Sequence, residues 1–201
     1  FSSGSRHTRC VAATGVQACA LPLSAEQLVA ECEDLDAEQD VRARCLAVVG
    51  TADAAAGRFD LAAGRLARAV ELRPADAASL NNYAWVLSHL PGNEARALEI
   101  ARRATAADAG AADHWDTLAR CARLAGELEE TVDALDRARS LQHAAGTPAD
   151  VRADVAIRRA SALFDLGRLD EAAEAAREIL ASDAPEPVRA VAEEILRAST
   201  R

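Results

Sequence analysis

The chain has 201 residues, of which half are hydrophobic and only 3% aromatic. Its 32 acidic residues outnumber the 23 basic ones, all Arg, so the formal net charge is −9. This balance argues against general nucleic-acid binding, because phosphate recognition needs a basic patch. No stretch of the sequence is long and apolar enough to cross a bilayer, and a signal peptide removed during export is compatible with a chain that contains no Met.

The N-terminal part of the chain combines an irregular stretch with a short helix. Residues 1–22 are polar or mixed and lack a regular apolar period. Ser24, with Gln three residues later, matches a capping box and predicts a helix over 25–34. A second helix is expected to begin near Asp36, where apolar residues start to recur at helical spacing.

Three Gly-led turns divide the rest of the chain into similar units. They are Gly57-Arg-Phe59, Gly126-Glu-Leu128 and Gly167-Arg-Leu169. The first two glycines are 69 residues apart, which is two periods of about 34 plus one, and the last two are 41 apart, one period plus seven. A period near 34 residues is typical of stacked helix–turn–helix units.

This pattern resembles the tetratricopeptide-repeat (TPR) family over roughly residues 40–182. In that family, small residues lie where the two helices of a unit cross, Gly permits the turn between them, and Pro ends the unit. The first and third units match best, through Leu46, Gly50, Gly57, Phe59, Ala62 and Pro74 and through Trp115, Leu118, Ala119, Gly126 and Leu128. The second unit has Leu-Pro-Gly-Asn93 in place of the Gly turn, and the fourth has Arg159 where Leu is expected.

The resemblance implies an all-α fold, a right-handed TPR-like superhelical solenoid with a Cys-containing N-terminal cap and a C-terminal capping helix. We expect residues 1–39 to form the irregular segment and capping helix, 40–184 to form three to four repeats, and 185–201 to form the last helix. That helix restarts at Pro185 and would cover the apolar face of the last repeat, as solenoids require.

Four of the five cysteines lie in the first 45 residues: Cys10, Cys19, Cys32 and Cys45. An even cluster in a short segment favours two disulfides and therefore an oxidising compartment. Three pairings are possible, and we favour Cys10–Cys19 with Cys32–Cys45. The alternative is that these are small buried thiols, because free Cys packs as a modest hydrophobe. A zinc site is less consistent with the sequence, which lacks Cys-x-x-Cys.

No nucleophile–base arrangement is recognisable in the sequence. The four histidines fall in no metal or haem motif, and there is no Gly-rich phosphate loop and no Gly-x-Ser-x-Gly. We therefore expect no enzyme activity, no cofactor and no metal. Cys121, which stands apart from the N-terminal cluster, is expected in the core of its repeat.

The resemblance further implies that the first helix of each repeat lines a concave binding face. The inward positions include Arg44, Thr51, Asn81, Asn82, Trp85, Ser88, His89, Asp113, Asp116, Thr117, Arg120, Arg123, Asp154, Arg158, Ser161 and Asp165. Among these we predict a partner-binding site of Asn82, Trp85, His89, Arg120 and Arg123. Only Asn82 matches the carboxylate clamp of the chaperone-binding members, so a chaperone C-terminal peptide is not the expected ligand. The simpler alternative is that these are solvated positions, with Trp85 packed against the neighbouring repeat.

Together these features predict a non-catalytic protein–protein interaction scaffold or adaptor of an exported bacterial assembly, periplasmic or extracellular. The cysteines suggest export, and the family resemblance with the Arg and Ala bias suggests a bacterial source. The alternatives are an accessory structural subunit of an enzyme or membrane complex, and a cytoplasmic regulatory TPR module from a larger signalling protein. The expected partners are one or more proteins, with no nucleic acid and no transmembrane segment.

Overall fold

The computed structural model describes residues 39–200. Within that range it contains nine α-helices and no strand. They are α1 (Gln39–Ala55), α2 (Phe59–Leu72), α3 (Ala77–Leu87), α4 (Glu94–Ala107), α5 (Ala112–Ala125), α6 (Leu128–Ala144), α7 (Ala149–Asp165), α8 (Leu169–Leu180) and α9 (Glu186–Ser199). The predicted helix over 25–34 and the cysteines Cys10, Cys19 and Cys32 lie outside the described residues.

Each helix packs against the helix that follows it, so the described part of the chain is a row of helical hairpins. Further contacts join α1 to α3, α3 to α5, and α7 to α9. Hydrogen bonds and ion pairs also link α1 to α3, α3 to α5, and α5 to α7, and we call the surface that these four helices share the odd-helix face. Among the described helices, α5 and α7 are the consecutive members of this row that lack comparable close packing.

Glycine in the left-handed conformation makes the turns that the sequence pattern predicts. Gly57, Gly126 and Gly167 have φ values of +74°, +82° and +74°, a region that side chains with a Cβ rarely adopt. They join α1 to α2, α5 to α6, and α7 to α8. In the atypical second unit the left-handed residue of the turn is Gly92, whose φ is +82°. The connection from α3 to α4 is correspondingly longer.

Small residues allow the helices of each hairpin to approach closely. A Cβ added at Gly50 would lie 2.9 Å from Leu66 Cγ, so α1 and α2 cross there without room for a side chain. Ala62, Ala101 and Ala172, each in the second helix of its hairpin, are fully buried. Close approach through Gly and Ala explains how a chain with so few aromatic residues still forms a dense interior.

The hydrophobic core is divided near the junction of α6 and α7. One cluster runs from α1 to α6 and includes Val155 of α7. The other is built from α7, α8 and α9 and includes Val132 of α6. This division coincides with the loop between Ala144 and Ala149 and with the step at which α5 and α7 lack the close packing of the other neighbouring odd helices.

The poor sequence match of the fourth unit does not prevent its first helix from forming. Arg159, which replaces the expected Leu, is mostly buried and donates from Nε to Asp136 Oδ1 of α6 at 2.6 Å. A charged hydrogen bond between neighbouring units therefore replaces an apolar contact, and it satisfies the guanidinium that the helix buries.

The first hairpin contains a buried ion-pair cluster. The Asp53 side chain is 0% exposed, and its Oδ1 accepts from Arg58 Nε at 2.9 Å and from Nη2 at 2.6 Å. Its Oδ2 contacts Nη1 of Arg65, a largely buried residue of α2. Two guanidinium groups thus neutralise one buried carboxylate, and the cluster links the end of α1 to α2.

The last helix packs on both α7 and α8. It buries Ala192 and Ile195 in the same cluster as Ile179 of α8. The helix runs over Glu186–Ser199, within the segment where the sequence predicts it. In the part of the chain that the structure describes, no helix has the length and hydropathy needed to span a membrane.

Candidate partner-binding site

Three rings meet where the end of α3 approaches the start of α2. The Phe59 and His89 rings are stacked, with centroids 4.7 Å apart and planes 9° apart. The Trp85 centroid lies 4.2 Å from that of His89 and 6.0 Å from that of Phe59. We call Phe59, Trp85 and His89 the aromatic cluster. Trp85 keeps 36% of its surface exposed, so it packs against a neighbouring unit and still presents a face to solvent.

The contacts of His89 indicate which of its ring nitrogens donates. Nδ1 lies 2.8 Å from the backbone oxygen of Trp85, which can only accept, so Nδ1 carries the proton. Nε2 lies 3.2 Å from Arg120 Nη2, which can only donate, so Nε2 accepts. Both contacts are satisfied by the tautomer with its proton on Nδ1.

Arg120 joins α5 to the end of α3. Its Nε donates to Ser88 Oγ at 2.9 Å, and its Nη2 faces His89. Both acceptors are neutral, and within residues 39–200 no carboxylate forms an ion pair with this exposed guanidinium. Arg120 is therefore a fixed positive charge beside an exposed Trp.

Arg123 differs from Arg120 although the two lie three residues apart on α5. Its Nη2 is 2.7 Å from Asp165 Oδ2 at the end of α7, so its charge is compensated within the chain. The sequence places both arginines in the predicted partner-binding site. In the structure Arg120 has no ion-pair partner among the described residues, whereas Asp165 of α7 compensates the charge of Arg123.

Asn82, three residues before Trp85 on α3, is engaged by α1. Its Nδ2 donates to Thr51 Oγ1 at 3.1 Å, and Thr51 in turn donates to the Ala47 carbonyl oxygen at 2.8 Å. This bond links α3 to α1. Among the five predicted residues, direct contacts join Trp85, His89 and Arg120, whereas Asn82 points toward α1 and Arg123 toward α7.

A groove opens between α5 and α7 on the odd-helix face, with α6 behind it. Its volume is about 420 Å³. It is lined by Ala119, Arg120, Arg123, Leu124, Thr131, Leu135 and Arg158. We call it the α5–α7 groove. Arg120 thus belongs both to this groove and to the contact with the aromatic cluster.

Two residues of this region were not among the predicted site residues although the sequence contains a signal for each. Phe59 follows the first Gly turn, where the repeat pattern assigns it to packing between helices, and the structure places it half-buried under His89. Leu124 lies beside Arg123 near the end of α5 and is 48% exposed, which an amphipathic helix pattern would disfavour.

Cys121 lies behind Arg120 in the core, where the sequence predicts it. The residue is fully buried, and burial raises the pKa of its thiol from 9.0 to about 12, although the nearby Arg120 charge opposes the shift. A neutral, inaccessible thiol is a poor nucleophile. Across residues 39–200, no group of three or more His, Cys, Asp or Glu is arranged to hold a metal ion.

The row of hairpins joined by glycine turns defines a helical repeat protein. Three solved structures share this architecture. MamA from Desulfovibrio magneticus RS-1 is 18% identical over 78% of this chain and 84% of its own chain, with a TM-score of 0.63. YrrB, described as a TPR protein with an unusual peptide-binding site, is 16% identical over 88% of this chain and 83% of its own, with a TM-score of 0.69. TTC0263, a thermophilic TPR protein of Thermus thermophilus, is 23% identical over 78% of this chain and 82% of its own, with a TM-score of 0.55.

The fold of this chain is therefore that of the TPR proteins, as the sequence resemblance predicts. No protein-family model and no curated protein matches the sequence. At these identities the likeness establishes the architecture, and the chemistry of the site has to be argued from the residues themselves.

Proposed function

We propose that this protein is a non-catalytic scaffold or adaptor that binds a segment of a protein partner on its odd-helix face. In this proposal the face is the concave side of a right-handed superhelical solenoid. Arg120 lacks a carboxylate partner among the described residues, and it contacts His89 of the aromatic cluster, whose Trp85 ring is partly exposed. This juxtaposition of a positive charge with an exposed ring is the observation that carries the proposal. The peptide-binding site in the description of YrrB supports it.

The geometry favours a partner segment that carries a carboxylate next to an apolar side chain. Arg120 is held in place by Ser88 and His89, so little side-chain entropy remains to be lost when a carboxylate binds its free edge. The exposed Trp85 offers an adjacent apolar surface, and Trp is a frequent anchor at the centre of interfaces. Asn82 and Arg123 lie at the two ends of the proposed binding surface.

The charge of the whole chain adds orientation. The net charge of −9 repels an acidic partner at long range, whereas Arg120 offers it a positive charge beside the aromatic cluster. Such a charge contrast orients the partner as it binds more than it raises affinity, and salt screens this effect.

A random ten-residue peptide display library tests the proposal. We expect the native chain to enrich peptides, and we expect the double variant Trp85→Ala/Arg120→Gln to bind them at least about tenfold more weakly, because a central aromatic anchor and a charged hydrogen bond are both lost. The melting temperature should change little. The matched control is Arg137→Gln, an exposed arginine of α6 away from this face. Equal affinity of the native chain and the double variant would remove the odd-helix face from consideration.

We further propose that the protein acts in an exported bacterial assembly, in the periplasm or outside the cell. The four clustered cysteines of the sequence support this location. The two alternatives remain an accessory subunit of an enzyme or membrane complex and a cytoplasmic regulatory module of a larger signalling protein. An obligate subunit should aggregate when produced without its partner, because its interface would expose an apolar patch.

A further inference from the structure

The α5–α7 groove is a local departure from the repeat. Neighbouring odd helices pack directly at α1–α3, α3–α5 and α7–α9, and the α5–α7 step interrupts that series. The hydrophobic core divides at the same step. The space that a closer packing of α7 on α5 would fill is therefore open to solvent, with α6 behind it.

The floor of the groove is apolar. Ala119 and Leu135 are buried, and Thr131 is buried with its hydroxyl donating to the Glu127 carbonyl oxygen at 2.9 Å, so its polar group is already satisfied. Leu124 stands at the rim with 48% of its surface exposed. An apolar side chain entering here would cover Leu124 and would leave no polar group of Thr131 without a partner.

The walls of the groove are charged and differ between its two sides. On the α7 side, the ion pair of Arg123 with Asp165 and that of Arg158 with Asp116 join α5 to α7. Arg158 also lies 3.0 Å from Asp154. At the edge of the groove nearest α3 lies Arg120 of α5, whose contacts are with Ser88 and His89 rather than with a carboxylate. A ligand carboxylate entering the groove would thus be attracted by Arg120 and repelled by the carboxylates on the opposite side.

We propose that the α5–α7 groove is a side-chain subsite for the partner segment: an apolar side chain packs against the exposed Leu124, above the buried Ala119 and Leu135, while a neighbouring carboxylate of the same segment pairs with Arg120. The inference rests on the proposed function and adds the chemistry and position of the recognised side chains. The carboxylate can belong to an Asp or Glu side chain or to a chain terminus. A volume of about 420 Å³ lies within the range of pockets that enclose small ligands.

The spacing of Arg120 and Leu124 on α5 requires the acidic group and the apolar group of the ligand to be neighbours. Arg120 and Leu124 are four residues apart on α5, so both lie on one side of the helix and about one turn apart. Arg120 is also in contact with the aromatic cluster at the end of α3. The groove and Trp85 can therefore engage successive residues of one segment, with the carboxylate between them.

The test uses the full chain and peptides enriched from the random ten-residue library. One strongly enriched peptide is synthesised in four forms: unchanged, with each Asp and Glu replaced by its amide, with the apolar residue next to the carboxylate replaced by Ala, and with an amidated C-terminus. Each form is titrated against the native chain, Arg120→Gln and Leu124→Asn. Leu169→Asn is the matched control, since Leu169 is an exposed leucine of α8 outside the groove.

We expect removal of the carboxylate to weaken binding to the native chain about tenfold and binding to Arg120→Gln by less than about twofold, because the two changes delete the same contact. The apolar-to-Ala peptide should show the same coupling with Leu124→Asn and none with Leu169→Asn. Sensitivity to side-chain amides or to C-terminal amidation identifies the source of the carboxylate.

The outcomes separate the two proposals. If peptides bind and depend on Trp85 but show no coupling with Arg120→Gln or Leu124→Asn, the groove is not a subsite, while the proposed function stands. If the library yields no bound peptide, the proposed function and the subsite are both wrong.

Discussion

At the scale of single residues, the chain uses arginine in two different ways. Arg58, Arg65 and Arg159 pair with carboxylates inside or between hairpins, where they hold the repeat stack together. Arg120 is positioned by neutral groups and keeps its charge for another molecule. The role of each arginine depends on which groups its guanidinium contacts, and the count of 23 arginines in the sequence does not show this.

The first prediction concerns the buried carboxylate of the first hairpin. Asp53→Asn leaves Arg58 and Arg65 without their anion, and breaking a buried ion pair on one side typically costs about 3–5 kcal/mol. We expect a clear drop in the free energy of unfolding, measured by urea denaturation. Glu99→Gln is the control, because Glu99 is an exposed carboxylate in the middle of α4. Equal stability of the two variants would show that the cluster contributes nothing.

The second prediction concerns the thiol of Cys121. Its pKa of about 12 in the folded chain means that it stays protonated between pH 7 and 9, so iodoacetamide should label it slowly until the protein unfolds. Because this pKa is raised on folding, the associated stability is present below pH 9.0 and is lost as pH rises from 9.0 toward 12. Peptide mapping by mass spectrometry follows the label. Rapid labelling of native Cys121 at pH 8 would contradict the buried position.

At the scale of the helices, the sequence pattern identifies contacts within a hairpin better than contacts between hairpins. Gly57, Gly126 and Gly167 mark their turns because the left-handed backbone there nearly requires glycine. The contact of Arg120 with His89 joins different units 31 residues apart, and no local preference encodes it. The α5–α7 groove is harder still to predict, since it follows from how closely two helices pack rather than from any one residue.

The third prediction concerns α9. Deleting residues 185–201 removes Ala192 and Ile195 and exposes the apolar surface around Ile179. We expect lower solubility, or loss of helical circular dichroism beyond that of α9 itself, because a repeat at the end of a stack needs a cover. Deleting only 199–201 is the control. If the shorter chain melts at the native temperature and remains monomeric by gel filtration, α9 is not a cap.

At the scale of the whole molecule, the stack is not uniform, and its irregularity coincides with the proposed binding surface. The core is split between the hairpins before and after the α6–α7 loop. Polar links from α5 and α6 to α7, such as Arg123–Asp165 and Arg159–Asp136, join the two parts. A repeat protein gains a distinct site where its repetition fails, because regular packing would fill the space that a ligand needs.

The last prediction concerns the N-terminal cysteines, on which the proposed location depends. The sequence predicts two disulfides among Cys10, Cys19, Cys32 and Cys45, and the first three lie outside the described residues. Cys45 is half-buried on α1, so a bond to Cys32 would attach the N-terminal segment to the first hairpin. A disulfide typically contributes about 2–4 kcal/mol to stability, although the mechanism depends on the unfolded state.

Alkylation under denaturing conditions separates pairing from burial, because unfolding exposes every free thiol. Without reductant, we expect the intact mass to show one alkylated cysteine, and peptide mapping should place it at Cys121. After reduction the same treatment should label all five cysteines of the sequence. Five labelled thiols without reductant would contradict the disulfides and would remove the support for an exported location, in favour of a cytoplasmic one. Because reduction should lower the melting temperature only if the bonds are present, a thermal scan with and without reductant provides an independent check.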